Sequence, residues 1–215
     1  MPKIYAGTSG WAYSSWKPDF YPAKLASAKF LGHYATRLNS VEVNYTFRSF
    51  PADRLLQNWM AATPAEFKFA IKAHQKITHF KRLRGAAQLA TEFIAALEPL
   101  EKADKLGPVL FQLPPNLKCD VPLLTEFLAG LPSHLQIAFE FRDESWFADT
   151  MASPCLRASR KRLWGPLPIC SRIPASVRRW TIWVTLPTRL RTSCRRTHHS
   201  AMPSMVSIAW GCSVR

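Results

Sequence analysis

Apolar and polar residues follow two different periods along the first 150 positions of the chain. Alternation of bulky apolar residues with smaller or polar ones predicts strands over residues 3–7, 40–44, 66–73, 108–113 and 135–142. Apolar residues at helical spacing predict helices over residues 26–38, 52–61, 86–103 and 121–131, and a further helix near Glu144. Such alternation with short connections is typical of βα units around a parallel sheet.

Four of the predicted strands, from the second to the fifth, have one bulky apolar face and one face that becomes polar toward the C-terminal end. In the second strand, Val41 and Val43 lie opposite Glu42 and Asn44, because successive side chains point to opposite faces. An open sheet covered by helices on both sides would be apolar on both faces. The pattern therefore favours an α/β fold of the TIM-barrel-like (β/α) type, with about five βα units and polar strand ends at one mouth.

The distribution of charge changes abruptly at residue 150. Residues 1–150 contain 17 Lys and Arg and all 14 acidic residues, a net charge of +3, whereas residues 151–215 contain 12 basic and no acidic residues. Six prolines interrupt this tail, so no helical or strand period is sustained over it. We therefore divide the chain into a βα portion over residues 1–150 and a basic tail over residues 151–215 that is expected to be irregular or disordered.

Three explanations of the tail's composition remain open. Out-of-frame translation of GC-rich coding sequence yields Arg, Pro, Ser, Trp and Cys with few acids, and would make the chain a truncated, non-functional product. A basic arm would bind nucleic acid, although such arms are solvated and this tail contains four Trp. A small second domain would need carboxylates on its surface. The composition favours the frameshift, so the net charge of +15 is weak evidence for a nucleic-acid partner.

Features of the remaining sequence restrict the class of protein. The first residues show no signal-peptide pattern, and no uncharged apolar run approaches the ~20 residues of a membrane span. The βα portion contains one cysteine, Cys119, which excludes a disulfide framework there. We expect a cytoplasmic protein without a membrane partner, and the sequence does not indicate its oligomeric state.

Six short motifs resemble those of one known family, the YecE-like family, also called domain of unknown function 72. The motifs are Gly7-Thr8-Ser9-Gly10-Trp11, Ser40-Val41-Glu42-Val43-Asn44, Phe69-Ala70-Ile71-Lys72, Ile77-Thr78-His79, Leu110-Phe111-Gln112-Leu113-Pro114-Pro115, and Glu140-Phe141-Arg142 with Ser145-Trp146. Their order and spacing are similar to those of the family from about residue 3 to residue 147. The resemblance implies a TIM-barrel-type fold and brings no reaction with it.

Glu42 and Glu140 are the candidate catalytic residues. Both lie on polar strand faces, and in a closed barrel they would face each other across the mouth. Two carboxylates that flank a substrate can serve as acid and base or as nucleophile, as in glycoside hydrolysis. The structural alternative pairs Glu42 with Lys72 and Glu140 with Arg142, because charges inside a barrel need partners.

The candidate substrate-binding residues form a mixed set of donors and acceptors. Lys72 and Arg142 could hold a phosphate or carboxylate, whereas the amides could orient hydroxyl groups. The loop after the first strand supplies exposed backbone amides and an aromatic side chain for stacking. The complete set is Ser9, Trp11, Asn44, Lys72, His79, Gln112 and Arg142.

The preferred function is an enzyme, a hydrolase or a lyase, that acts on a small polar, sugar-like or phosphorylated substrate. The alternative is a nucleic-acid-binding protein, whose affinity would fall steeply with salt. No cofactor is implied, and no metal site is predicted, because residues 1–150 contain neither an HxxxH nor a CxxC motif.

Overall fold

Strands and helices alternate along the chain in a computed structural model, which describes residues 3–147 and three strands within the tail. The strands are β1 (Lys3–Thr8), β2 (Ser40–Val43), β3 (Lys68–Lys72), β4 (Leu106–Gln112), β5 (Gln136–Phe141), β6 (Trp180–Thr185), β7 (Arg191–Arg196) and β8 (Ser207–Cys212). The helices are α1 (Phe30–Ala35), α2 (Asp53–Ala61), α3 (Ala87–Ala95), α4 (Glu98–Lys102) and α5 (Val121–Ala129). The predicted α/β fold is confirmed over residues 3–147.

The chain divides into two units. The first contains Met1–Lys72, Ile94–Gly107 and His198–Arg215, and the second contains Ala73–Phe93 and Pro108–Thr197. Each of them contains a pair of parallel strands from the βα portion.

In the first unit, β2 and β3 are parallel, with Ser40 opposite Lys68 and Val43 opposite Ile71. The end of β1 lies beside β2, where the amide of Gly10 donates to the carbonyl of Glu42 at 2.9 Å. This approach requires a glycine in β1, because a Cβ at Gly7 would overlap the carbonyl of Ser40. The sequence of β1 thus permits the close contact that aligns the C-terminal ends of the two strands.

In the second unit, β4 and β5 are parallel, with Val109 opposite Ile137 and Gln112 opposite Glu140. Phe111 and Phe139 stack between these strands with ring centroids 5.3 Å apart, so bulky side chains at alternate positions form an apolar layer. Pairing in register at this point brings the polar residues near the strand ends next to each other.

All four residues of β2 are buried, including Glu42 on its polar face, and β5 is buried from Ile137 to Phe141. Burial on both faces is consistent with an inner face that is filled by side chains, as in barrel folds. Closure of a barrel stays a prediction. The consequence for function is that the carboxylates predicted to line a mouth are buried groups that need hydrogen-bond partners.

Three segments differ from their predicted structure. The helix predicted over residues 86–103 is two helices, α3 and α4, because Pro99 lacks an N–H and its ring would clash with the carbonyl of Ala95. No helix is predicted between the third strand and residue 86, but His79 belongs to a π-helical turn, Lys76–Phe80. A helix near Glu144 is a short 3-10 turn, Glu144–Phe147.

The C-terminal end of α2 is fixed by a buried lysine. Lys105 Nζ donates to the carbonyl oxygens of Met60, Thr63 and Pro64 at 3.0, 2.7 and 2.8 Å. A cation at this end also interacts favourably with the helix dipole. Burial lowers the pKa of Lys105, while the charge of Glu66 acts in the opposite direction. The lysine thereby positions the helix that carries one wall of the candidate site.

Most of the tail lies outside the described residues, including most of the stretch that was expected to be irregular. Within it, however, β6 pairs with β5, β7 pairs with β6, and β8 pairs with β1, all antiparallel. The expectation that the tail is irregular or disordered stays a prediction for the residues between and around these strands. The sequence of β6 is rich in aromatic and β-branched residues, which favour strands, and a strand edge offers unpaired backbone groups. None of the described helices is long and apolar enough to cross a membrane.

Candidate functional site

A chain of hydrogen bonds connects three of the predicted site residues in the first unit. Asn44 Nδ2 donates to Ser9 Oγ at 2.7 Å, and Ser9 Oγ donates to Glu42 Oε1 at 3.1 Å. Glu42 is 7% exposed, whereas Ser9 and Asn44 are partly exposed. The chain therefore leads from partly exposed polar groups to a buried carboxylate.

The positions of these residues follow from the meeting of β1 with β2. Tyr34, which is fully buried on α1, donates its hydroxyl to the Ser40 carbonyl at 2.9 Å and accepts from the Thr8 amide at 2.8 Å. Burial raises the pKa of Tyr34, and the hydrogen bonds from Thr8 act in the opposite direction. Ser9 follows β1 directly and pairs with Glu42 in parallel. One tyrosine thus links the two strand segments that carry the polar groups.

A cavity of about 400 Å³ adjoins this cluster in the first unit. Asn44 lies at its wall together with the aromatic side chains Trp11, Tyr13, Tyr45 and Trp59, and its other lining residues are Gly10, Ala12, Val43 and Leu55. The volume lies within the range of about 300–1,000 Å³ that is usual for small-molecule sites. The first unit therefore contains an aromatic cavity with a polar wall.

The aromatic walls meet at right angles. The ring of Trp11 lies 5.7 Å from that of Trp59 at an interplanar angle of 88°, and the ring of Tyr45 lies 6.5 Å from it at 87°. Trp59 comes from α2, is 6% exposed and stacks on Phe69 at 5.8 Å. Tyr45 is 53% exposed. A buried ring fixed by the core is thus flanked by two further rings, one of which reaches solvent.

Tyr13 connects the cavity with the polar cluster. Its hydroxyl donates to the Ser9 carbonyl at 2.6 Å, and its ring packs 4.8 Å from that of Trp16. Burial raises the pKa of Tyr13, and the negative charge of Glu42 raises it further. The charge of Glu42 therefore acts on a residue that lines the cavity.

The aromatic loop after β1 divides into two parts. Trp16 and Tyr21 are buried, and Tyr21 stacks on Phe30 at 4.1 Å, so these rings belong to the core. Trp11 and Tyr13 line the cavity instead. Tyr21 also donates its hydroxyl to the Trp11 carbonyl at 2.5 Å, which holds the cavity part of the loop on the core part.

In the second unit, the structure brings together two further predicted residues. Gln112 Nε2 donates to Glu140 Oε2 at 2.7 Å, and the two residues are 6% and 3% exposed. This bond follows from the register, in which the two residues are directly opposite. The convergence of Glu42 and Glu140 on one cavity stays a prediction.

The remaining predicted residues do not line the cavity of the first unit. Lys72 Nζ lies 4.9 Å from the centre of the Phe47 ring, a cation–π contact at the end of β3. His79 Nδ1 lies 2.9 Å from the Thr78 hydroxyl in the π-helical turn. Arg142 is exposed after the end of β5. Their roles in substrate binding stay predictions.

Sequence reasoning did not assign Tyr45 and Trp59 to the site. Tyr45 follows Asn44 directly after β2, so its position at the end of the strand could have predicted that it belongs to the site. Trp59 lies four residues after Leu55 on α2, which is the spacing of an ordinary core-facing pair. Among the described residues, no three His, Cys, Asp or Glu side chains are grouped so that they could hold a metal ion.

Comparison with curated proteins finds similar chains in two bacteria. The chain is 30% identical over 168 residues to the UPF0759 protein YunF of Bacillus subtilis, covering 75% of this chain and 58% of that one. It is 31% identical over 146 residues to the UPF0759 protein YecE of Escherichia coli K12, covering 67% and 50%. The chain thus spans between half and three fifths of the length of these relatives.

Solved structures show a similar fold. A DUF72 family protein from Thermotoga maritima MSB8 matches with a TM-score of 0.60 and 29% identity, covering 68% of this chain and 58% of that one. A DUF72 family protein from Enterococcus faecalis V583 matches with a TM-score of 0.59 and 22% identity, covering 72% and 56%. The second match supports the fold alone.

The family model described as "Protein of unknown function DUF72" matches residues 5–198. The match includes the six motifs and extends past residue 147, where the motifs end, into the basic tail. The resemblance found in the sequence is thereby confirmed. The chain belongs to the DUF72 family.

Proposed function

We propose that the chain binds a small, sugar-like molecule in the cavity of the first unit, and that Glu42 is the acid–base group of this site. The observation that carries the proposal is the continuity between the aromatic cavity and the hydrogen-bond chain from Asn44 through Ser9 to Glu42. A mostly apolar cavity with a few polar groups is the usual form of a small-molecule site.

The aromatic walls suit the apolar face of a sugar ring. Trp11, Tyr45 and Trp59 offer rings in two orientations, while the Asn44 amide at the wall can orient hydroxyl groups. Among the described residues, the Asn44 side-chain oxygen accepts no hydrogen bond, which leaves it available to a ligand hydroxyl. The walls therefore supply stacking and one directed polar contact.

Glu42 can act through Ser9. A carboxylate that accepts a hydrogen bond from a hydroxyl can take up its proton as the hydroxyl oxygen forms a bond to a substrate, and can return the proton to the leaving group. Glu42 is 7% exposed, so a proton that it takes up is shielded from bulk water. This chemistry belongs to hydrolases and lyases alike.

Binding of neutral hexoses and pentoses, measured by titration calorimetry, tests the binding half of the proposal. We expect saturable binding of at least one sugar, and a loss of roughly tenfold in affinity for Tyr45→Ala, as for other aromatic stacking contacts. The matched control is Phe80→Ala, which removes an aromatic ring that is 69% exposed and lies outside the cavity. Equal losses in the two variants, or no saturable binding by any sugar, would contradict the proposal.

The acid–base half is tested by release of nitrophenol from a panel of nitrophenyl glycosides. Glu42→Gln is expected to abolish the release while Glu126→Gln, a substitution of an exposed glutamate, retains it. Retained release in Glu42→Gln would show that Glu42 is not the acid–base group. If no glycoside is cleaved by the unmodified chain, the hydrolase form of the proposal fails and the binding half stands on the titrations.

A further inference from the structure

The charge of the residues that line the cavity of the first unit helps to decide between the ligand classes that the sequence left open. None of its nine lining residues is Lys, Arg, Asp or Glu. The walls therefore lack the Arg and Lys side chains that hold phosphate groups through charge-assisted hydrogen bonds. Lys72, the nearest predicted phosphate ligand in sequence, has its Nζ over the Phe47 ring, which is not part of the cavity wall.

The aromatic walls can also hold a compact group that is attached to a sugar ring. Trp11 and Tyr45 both stand perpendicular to Trp59, at 88° and 87°, so they form adjoining walls of a corner. Trp59 is held in place by its stacking on Phe69 and by burial. Groups of Trp and Tyr rings recognise quaternary ammonium ligands and attract other cations, because ring faces carry negative potential.

The electrostatic field behind the corner has the same sign. Glu42 is buried at the end of the hydrogen-bond chain that begins at the cavity wall. Burial is the larger cause of the raised pKa of Tyr13, which lines the cavity, and the negative charge of Glu42 is the second cause. A negative charge that reaches the wall disfavours anionic ligands and favours cationic ones. Two independent features, the ring geometry and the buried carboxylate, thus point to one ligand charge.

We propose that the molecule bound in this cavity carries an ammonium group, which lies in the corner formed by Trp11, Tyr45 and Trp59. The inference rests on the proposed binding of a small molecule in the cavity and adds the charge of that molecule. An amino sugar or another small organic amine has this character, and a sugar phosphate does not.

The test compares ligands that differ in charge and little in shape. Affinities of the intact chain are measured at about pH 7 for choline and its uncharged isostere 3,3-dimethyl-1-butanol, and for glucosamine, glucose, N-acetylglucosamine and glucose 6-phosphate. We expect choline to bind on the order of tenfold more tightly than its isostere, which corresponds to about 1.4 kcal/mol and lies within the range of cation–π contacts. Glucosamine should exceed the neutral sugars, and glucose 6-phosphate should bind most weakly.

A pair of variants assigns the preference to the corner. Tyr45→Leu keeps an apolar side chain and removes one ring, so the ratio of choline affinity to isostere affinity should fall severalfold. Phe80→Leu makes the same change at an exposed ring in the second unit and should leave the ratio unchanged. An unchanged ratio in Tyr45→Leu would overturn the assignment of the ammonium group to this corner.

The outcomes separate the inference from the proposed function. Equal affinity for choline and its isostere, or tightest binding of glucose 6-phosphate, overturns the ammonium proposal, and the binding of neutral sugars then still supports the proposed function. Failure of every probe to bind overturns both.

Discussion

Glu42 and Glu140 are the two buried carboxylates among the described residues, and each is the second-to-last residue of its strand. Their exposed fractions, 7% and 3%, are nearly the same. Their described partners differ. Glu42 accepts from the Ser9 hydroxyl, which is bonded to an amide at a cavity wall, whereas Glu140 accepts from Gln112, a residue as buried as Glu140 itself.

The comparison shows that burial of a carboxylate does not by itself identify a functional site. A buried polar group requires a partner wherever it occurs, and Gln112 provides one across a pair of parallel strands. The described hydrogen-bond chain of Glu42 leads to a cavity with aromatic walls, whereas the described partner of Glu140 is a buried amide. We therefore expect loss of a partner to affect mainly stability at Glu140 and mainly ligand binding at Glu42.

The largest expected effect on stability is at the Gln112–Glu140 pair. Gln112→Leu removes a hydrogen bond to a buried carboxylate, so the free energy of unfolding should fall by about 2–3 kcal/mol. The measurement is urea unfolding followed by circular dichroism. The matched control is Gln88→Leu, because Gln88 donates to Glu92 at 3.0 Å on the exposed surface of α3 and should contribute about 0.5 kcal/mol or less. Equal effects would mean that burial does not strengthen the pair.

A smaller effect is expected at the tyrosine that links β1 and β2. Tyr34→Phe leaves the Ser40 carbonyl and the Thr8 amide without this buried partner, which should cost about 1–2 kcal/mol. Unfolding in urea measures the change, and Tyr45→Phe, at a 53% exposed position, is the control. If Tyr34→Phe leaves the free energy of unfolding unchanged, the Tyr34 hydroxyl does not stabilise the contact between β1 and β2.

The order and type of the βα elements could be predicted because each strand of residues 3–147 has a clear period of two. The break between α3 and α4 was missed because apolar residues continue at helical spacing across Pro99, and the period alone does not register a missing amide. The strands of the tail were missed because their pairing is between distant segments, such as β8 with β1, which no local pattern reveals.

The candidate site could be predicted in part. Polar residues at strand ends identified Ser9, Glu42 and Asn44, which the structure connects by hydrogen bonds. The aromatic wall from α2 was not predicted, because an apolar helix face gives the same pattern whether it meets the core or a cavity. Bringing these residues together depends on packing between elements, which periodicity does not specify.

The out-of-frame origin of the tail stays a prediction, and the coding DNA tests it. Translation downstream of codon 150 in the other two frames should recover a sequence with both acidic and basic residues and βα periodicity. The family match across the break, to residue 198, weighs against this outcome. If neither frame gives such a sequence, the frameshift explanation is wrong and the basic-arm explanation takes its place.

Loss of the hydrogen-bond partner of Glu42 should weaken ligand binding more than it lowers the free energy of unfolding. Ser9→Ala removes a partly exposed hydroxyl, so the free energy of unfolding should fall by about 0.5–1 kcal/mol. Affinity for the ligand identified by titration should fall severalfold, because Asn44 and Glu42 lose the group that joins them. Ser49→Ala, at an exposed serine, is the control. A loss of stability as large as that of Gln112→Leu would mean that both glutamates are structural.

The smallest expected effect is on the alkaline titration of Tyr13. Its pKa is raised in the folded chain, by burial first and by Glu42 second, above the ordinary value of about 10. The folded state therefore holds the proton more tightly than the unfolded state, so this contribution to stability is complete below about pH 10 and is lost as the pH rises toward the folded pKa.

Tyrosinate absorbance, taken as the difference between the unmodified chain and Tyr13→Phe, isolates this residue from the other tyrosines. Glu42→Gln removes the second cause, so the Tyr13 pKa should fall part of the way toward its ordinary value, whereas Glu126→Gln should leave it unchanged. An unchanged Tyr13 pKa in Glu42→Gln would mean that the carboxylate's charge does not reach the cavity wall, and the contrast between the two buried glutamates would lose its electrostatic basis.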